Sequence, residues 1–238
     1  MRNWCMVLVV LMYACGGKSA DVTGSEAVQA PIVSAVQLQA PSALMGRWST
    51  AENALMTPGS DNVVILTPSY AKDDVEGLAR FLVARRLPVI VYAGHIYCND
   101  RSGWESAWVT FNAYLEPLRA SGVLVGIQPL DEPRWTGYQA NADAAYADVR
   151  ARGYRVLATE YADQVWGPFF NKRPNVDWWA ITCYPYPGAK WTAQRCEERL
   201  VDDRSVDTLA AINGSGYDSL PWIRAAERQG RGWLVWEE

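Results

Sequence analysis

Val123-Leu124-Val125-Gly126-Ile127-Gln128-Pro129-Leu130-Asp131-Glu132-Pro133-Arg134-Trp135 decides how the rest of the chain is read. From Val123 to Ile127 the stretch is nearly unbroken in apolar character, which suits a strand covered on both faces, as in a parallel sheet. Pro129 and Pro133 end that strand, because proline lacks the donor a sheet ladder needs. Two adjacent carboxylates, an arginine and a tryptophan follow, at the point where α/β folds place their chemistry. An Asp-Glu pair in a solvated turn is the alternative, and on this stretch alone the two readings stand level.

Working outward, apolar runs with strand character recur at 44–48, 62–67, 87–93, 123–130, 154–159, 176–184, 206–212 and 232–236. Amphipathic stretches with helical spacing lie between them, at 52–56, 73–86, 104–121, 139–152, 163–172, 192–202 and 220–229. In 73–86, for example, Val75, Leu78, Ala79, Leu82 and Val83 share one face, and Asp73 and Asp74 stand at its start, where a helix favours negative charge. Alternation of this kind predicts an α/β fold with a mainly parallel sheet. Eight strands with helices between them predict a small (β/α)8 TIM barrel over residues 43–238. An open doubly wound sheet is the competing fold, but no glycine-rich phosphate fingerprint follows the early strands. No helix follows the last strand, so either the N-terminal arm covers that side or the eighth helix is missing.

The 238 residues are 50% apolar and 20% charged, with a net charge of -4, which leaves no basic footprint for nucleic acid. Trp 12 and Tyr 12 against Phe 4 is an unusual balance. Indoles and phenols serve surfaces that must be apolar and wet at once, as a sugar cleft must. Residues 1–15 read as an export signal: Met1-Arg2-Asn3 is a short basic start, and Met6 to Tyr13 is apolar but too short to span a bilayer permanently. Leu11-Met12-Tyr13-Ala14-Cys15 resembles a bacterial lipoprotein lipobox, which implies an exported, membrane-tethered protein lipidated at Cys15. Ordinary signal cleavage giving a secreted protein is the alternative. Residues 16–42 read as a flexible tether. With Cys5 in the signal and Cys15 lipidated, Cys98, Cys183 and Cys196 remain. Cys183 and Cys196 flank one loop and are expected to pair, leaving Cys98 alone unless the pairing differs. One histidine and no close cysteine spacing argue against a metal site, and no cofactor is implied. Nothing demands an oligomer.

In a barrel the residues just past each strand share one rim. Here they are Tyr70, His95 with Tyr97, Glu132 with Trp135, Glu160 with Tyr161, Tyr184 with Tyr186, Asn213, and Trp236 with Glu237. Asp131-Glu132-Pro133 resembles the Asn-Glu-Pro of the retaining (β/α)8 glycoside hydrolases, whose acid/base glutamate ends strand four. Asp177 through Tyr184-Pro185, with the closing Gly232-Trp233-Leu234-Val235-Trp236, resembles the sixth and eighth strand ends of the same proteins. The resemblance implies a glycoside hydrolase acting on a carbohydrate, with Glu132 as acid. It departs at two places: Asp131 stands where the clan has a sugar-binding asparagine, and strand seven ends in Asn213 where the clan has its nucleophile glutamate.

Two carboxyls must flank the scissile bond, about 5 Å apart for retention and about 6.5–9.5 Å for inversion. Glu160, one strand along, is the expected partner of Glu132, and Glu237 is the second candidate. Asp131, Trp135, His95, Tyr161, Tyr184 and Trp236 are expected to contact the sugar, with a structural role equally open for His95. A non-catalytic carbohydrate-binding protein on a degenerate barrel is the alternative function, favoured by the missing strand-seven glutamate. A barrel hydrolase of another substrate class is the third and weakest reading: no Gly-x-Ser-x-Gly elbow supports a serine esterase, and a single histidine argues against a metallohydrolase.

Overall fold

A computed structural model describes residues 38–56, 61–161, 173–183, 192–202, 206–213 and 218–237. In chain order the elements are β1 (Met45–Thr50), α1 (Ala51–Met56), β2 (Val63–Thr67), α2 (Val75–Arg85), β3 (Val89–Tyr92), α3 (Gly94–Tyr97), a 3-10 turn (Arg101–Gly103), α4 (Trp104–Ala120) and β4 (Leu124–Gln128). They continue with α5 (Pro133–Thr136), α6 (Gln139–Ala151), β5 (Leu157–Tyr161), β6 (Trp178–Thr182), α7 (Ala193–Asp202), β7 (Thr208–Asn213), α8 (Leu220–Arg228) and β8 (Gly232–Glu237). The strands form one eight-stranded sheet in the order β4-β3-β2-β1-β8-β7-β6-β5. Every pairing in it is parallel. The two end strands meet through one parallel bridge, Ile127 with Val156, where the Ile127 N–H donates to the Arg155 carbonyl at 2.9 Å. The fold is therefore a (β/α)8 barrel, closed most lightly at the seam between β4 and β5.

The two-residue period of each strand sorts its side chains into two cores. Trp48, Val63, Ile65, Ile90, Leu157, Trp178, Ala180 and Leu234 point inward and form one buried cluster with Leu44. Val64, Leu66, Val89, Val91, Ile127, Ala158, Trp179 and Ile181 point outward and pack against Leu78, Leu82, Phe111, Leu118 and Val149 of the helices. Strands buried on both faces need continuous apolar runs, and that is why the sequence shows them so plainly. The helices carry their own punctuation. Asp74 caps α2 by accepting from the Gly77 N–H at 2.8 Å, and Arg86 ends it in the left-handed conformation at φ 54. Pro117 sits inside α4.

The floor of the barrel is filled by Trp178, only 3% exposed. Its indole N–H reaches the Pro41 carbonyl at 3.2 Å, and the Arg155 guanidinium stacks over its ring at 5.4 Å. Gly126 makes room for it: a Cβ there would stand 2.8 Å from the indole. Residues 38–42, expected as the end of a flexible arm, lie here. The Leu38 N–H bonds the Gly122 carbonyl at 2.9 Å, and a cavity of about 490 Å³ opens beside them between Leu38, Leu124 and Arg155. Residues 1–37, with Cys15, fall outside the described residues.

Strand bounds differ from the sequence reading by a residue or two at most ends. The difference with a consequence is β5, which runs through Tyr161 and not to Thr159. Glu160 is therefore inside a strand, where its face is set by alternation, and not in a loop beyond it. The seventh strand is Thr208–Asn213, which puts Glu237 on β8, paired in register with Asn213. The helix expected at 163–172 lies outside the described residues. A disulfide joins Cys183, just past β6, to Cys196 in α7, while Cys98 forms no disulfide.

Candidate active site

At the C-terminal mouth, β4 delivers Gln128, Asp131 and Glu132, and β5 delivers Thr159. Gln128 and Thr159 belong to the inward faces of their strands, both fully buried. The Thr159 hydroxyl donates to Asp131 Oδ1 at 2.7 Å and accepts from the Gln128 amide at 3.2 Å. The same amide reaches Asp131 Oδ1 at 3.3 Å, and the Glu132 N–H approaches Thr159 Oγ1 at 3.4 Å. These side-chain bonds span the lightly closed seam. Withdrawal from water raises the Asp131 carboxyl above the usual range, with the bonds from Thr159 and Gln128 acting against that rise.

Glu132 is 4% exposed and adopts φ 44, ψ 57. A side chain with a Cβ holds the left-handed region at a cost of about 1–3 kcal/mol, so the surrounding contacts must impose it. They do: the Glu132 carbonyl receives the Thr136 N–H at 2.9 Å and its hydroxyl at 3.0 Å, and Pro133 opens α5 directly afterwards. Glu132 thus ends β4 as a buried carboxylic residue in a strained backbone conformation.

Glu160 is placed differently. Its register partner Ile181 and its strand neighbour Ala158, two residues away, both belong to the outer core. Its carboxylate lies 3.7 Å from Arg173 Nε, and Arg173 in turn holds Asp143 of α6 at 2.6 Å. Burial raises the Tyr146 phenol of α6 above its ordinary range, and the Glu160 charge adds to that rise. The carboxylate expected to face Glu132 across the mouth is thus fully buried between β5 and α6. The physical reason is parity: with Thr159 inward, Glu160 must point outward.

His95 sits on α3 beyond β3 and packs onto the helical layer. The Tyr70 hydroxyl lies 2.5 Å from its Nε2, and its ring stands edge-on to Tyr70 and Phe111. Although the residue keeps an exposed edge, this desolvation lowers its pKa to about 4. Tyr70 in turn stands edge-on to Tyr114 of α4, whose hydroxyl bonds Asp73 at 2.9 Å. Tyr161 is buried on the inward side of β5. Trp236, 37% exposed, lies beside Trp48 with ring centroids 5.9 Å apart. Tyr184 and the side chains of Trp135, Asn213 and Glu237 fall outside what the structure describes. Trp48, Gln128 and Thr159 were missed by the sequence reading. Gln128 was visible in principle, as the only amide in an apolar strand. Among the described residues no group of three His, Cys, Asp or Glu could hold a metal ion, and no helix is long and apolar enough to cross a membrane.

No protein-family model matches the sequence, and no curated protein matches it. Among solved structures the chain is similar to Saccharomyces cerevisiae Gas2p. A complex with compound 8 has TM-score 0.52 at 13% identity, covering 79% of this chain and 50% of that one. A complex with laminaritriose and laminaritetraose has TM-score 0.50 at 13% identity over the same shares. The apo form of a mutant has TM-score 0.50 at 11% identity, covering 79% and 46%. The chain spans about half the length of the yeast protein. At these identities the likeness shows the fold alone, a (β/α)8 barrel.

Proposed function

We propose that the chain is a glycoside hydrolase that takes a carbohydrate into the C-terminal mouth of the barrel, with Glu132 as its general acid. The observation that supports this reading is the conformation of Glu132: buried at 4% exposure, at the end of β4, and held at φ 44. Such strain is stored where a side chain has to be aimed. An enclosed site also favours the protonated carboxyl that a leaving oxygen requires. Glu160 faces the helices, so the second carboxyl falls to Glu237 at the end of β8, acting as nucleophile or as base for a water. Trp236 offers an exposed indole for a sugar face, and Asp131, Trp135, His95, Tyr161 and Tyr184 complete the proposed cleft. No metal or cofactor enters this chemistry. The start of the chain and the Cys183–Cys196 disulfide support an exported protein, lipid-anchored at Cys15 or secreted, and the chain is proposed to work as a monomer.

The test is release of reducing ends from an oligosaccharide panel. It begins with laminaritriose and laminaritetraose, the ligands of the yeast barrel, and compares wild type, Glu132→Gln and Glu237→Gln. Turnover by wild type, and its loss in both variants with folding intact, is the expected result. Full activity in Glu132→Gln would refute the assignment. A second reading, a barrel that binds glycan without cutting it, is favoured by the outward placement of Glu160 and by Asn213 at the end of β7. Saturable glycan binding with no turnover would select it.

A further inference from the structure

We propose that Gln128 is a positioning residue, which ties the Trp48 indole on β1 to the Asp131–Glu132 turn across the barrel and so holds the aromatic wall and the acid in one register. This rests on the functional reading above. In the sheet, β1 and β4 are separated by β2 and β3, so a contact between their side chains crosses the barrel interior. Trp48 Nε1 makes that contact, donating to Gln128 Oε1 at 2.8 Å. An indole N–H can only donate, so Gln128 must turn its oxygen to Trp48 and its amide protons to Asp131 and Thr159. The Thr159 hydroxyl, accepting from that amide, spends its one proton on Asp131. Every donor direction in the chain Trp48, Gln128, Thr159, Asp131 is fixed by its neighbour.

At the other end, Trp48 is 7% exposed and stands in register with Trp236, whose more exposed ring leans on it at 34°. A sugar resting on Trp236 therefore rests on a wall bonded through Gln128 to the turn that carries the acid. An apolar side chain at 128 would fill the interior without a desolvation cost. The amide is tolerable only because its bonds are made, and once made they fix one arrangement.

The test uses Trp48→Phe, which keeps an aromatic ring and deletes the indole N–H, and Gln128→Met, which keeps volume and deletes the amide, with the double variant. Two readouts are taken: kcat and KM on the cleaved oligosaccharide, and titration of the Asp131 carboxyl by carbon NMR. Trp48→Phe is expected to lower kcat about ten-fold with KM little changed, because misplacing a reacting group by a fraction of an ångström costs rate more than binding. It is also expected to move the Asp131 titration upward, although Trp48 does not touch Asp131. Gln128→Met should do both more strongly, and the double variant no more than Gln128→Met. Wild-type kcat and an unmoved Asp131 titration in Trp48→Phe would overturn the proposal, leaving the amide a packing group. If Gln128→Met does not fold, Trp48→Phe decides alone. If wild type cleaves no glycan, the functional reading fails separately, and the Asp131 titration still judges the coupling.

Discussion

Reducing the Cys183–Cys196 disulfide should cost the fold about 3 kcal/mol. The two half-cystines are separated by 13 residues, and the loop-closure entropy returned to the unfolded chain by opening a ring of that size is worth about 3 kcal/mol at 25 °C. Reduction keeps both sulfurs in place, so it isolates the cross-link. Both cysteines are fully buried in the outer core, so the Cys183→Ala/Cys196→Ala variant adds two small voids at roughly 1 kcal/mol each. The assay is urea unfolding and thermal unfolding, both followed by tryptophan fluorescence, with and without reductant. For a chain of this size, reduction should lower the melting temperature by about 6–12 °C, and the alanine pair should lower it further. A reduced protein within about 1 kcal/mol of the oxidised one would refute the reasoning, because the denatured chain would then be no freer without the bridge. The same result bears on location, since a bridge that matters to stability needs an oxidising compartment.

Asp131→Asn keeps the Oδ1 acceptor for Thr159 and Gln128 but removes a carboxyl whose pKa burial raises. A raised carboxyl contributes most below its unfolded pKa, and that contribution is lost as pH rises through the folded value. The variant should therefore melt higher than wild type at neutral pH and lose the advantage in acid; lower melting at pH 7 would contradict this. His95, with its pKa lowered to about 4, should stay neutral between pH 4 and the ordinary value of 6.5, so acidification through that window destabilises the fold. A ring-proton NMR midpoint near 6.5 would exclude it. Trp178→Ala, emptying the barrel floor at a residue only 3% exposed, should cost about 3–5 kcal/mol in urea unfolding, whereas a loss under about 1 kcal/mol would mean the floor is not packed as described.

Barrel strands buried on both faces leave an apolar signature that needs no context, so Val63–Thr67, Val89–Tyr92 and Leu124–Gln128 were legible from the sequence. The turn at Asp131–Glu132 was legible too, because prolines flank the carboxylates where a strand has just ended. Side-chain facing was not. β5 runs two residues past its expected end, to Tyr161, so Glu160 lies inside the strand and not on the rim, and with Thr159 inward the period-2 alternation puts it on the helix side of the sheet. The Trp48–Gln128 bond joins residues 80 apart in sequence, and nothing local to either predicts it. His95 carried a level choice between sugar contact and structural packing, and its ring, packed on Phe111 and Tyr70 with an edge left exposed, is placed to serve either.

The most direct measurement on the central claim is the rate of oligosaccharide hydrolysis by Glu132→Gln relative to wild type, on folded protein of matched melting temperature. The loss of one general acid alone is worth about 10²- to 10⁴-fold, and this account predicts a fall at least that large. A Glu132→Gln enzyme that turns over at the wild-type rate would contradict it.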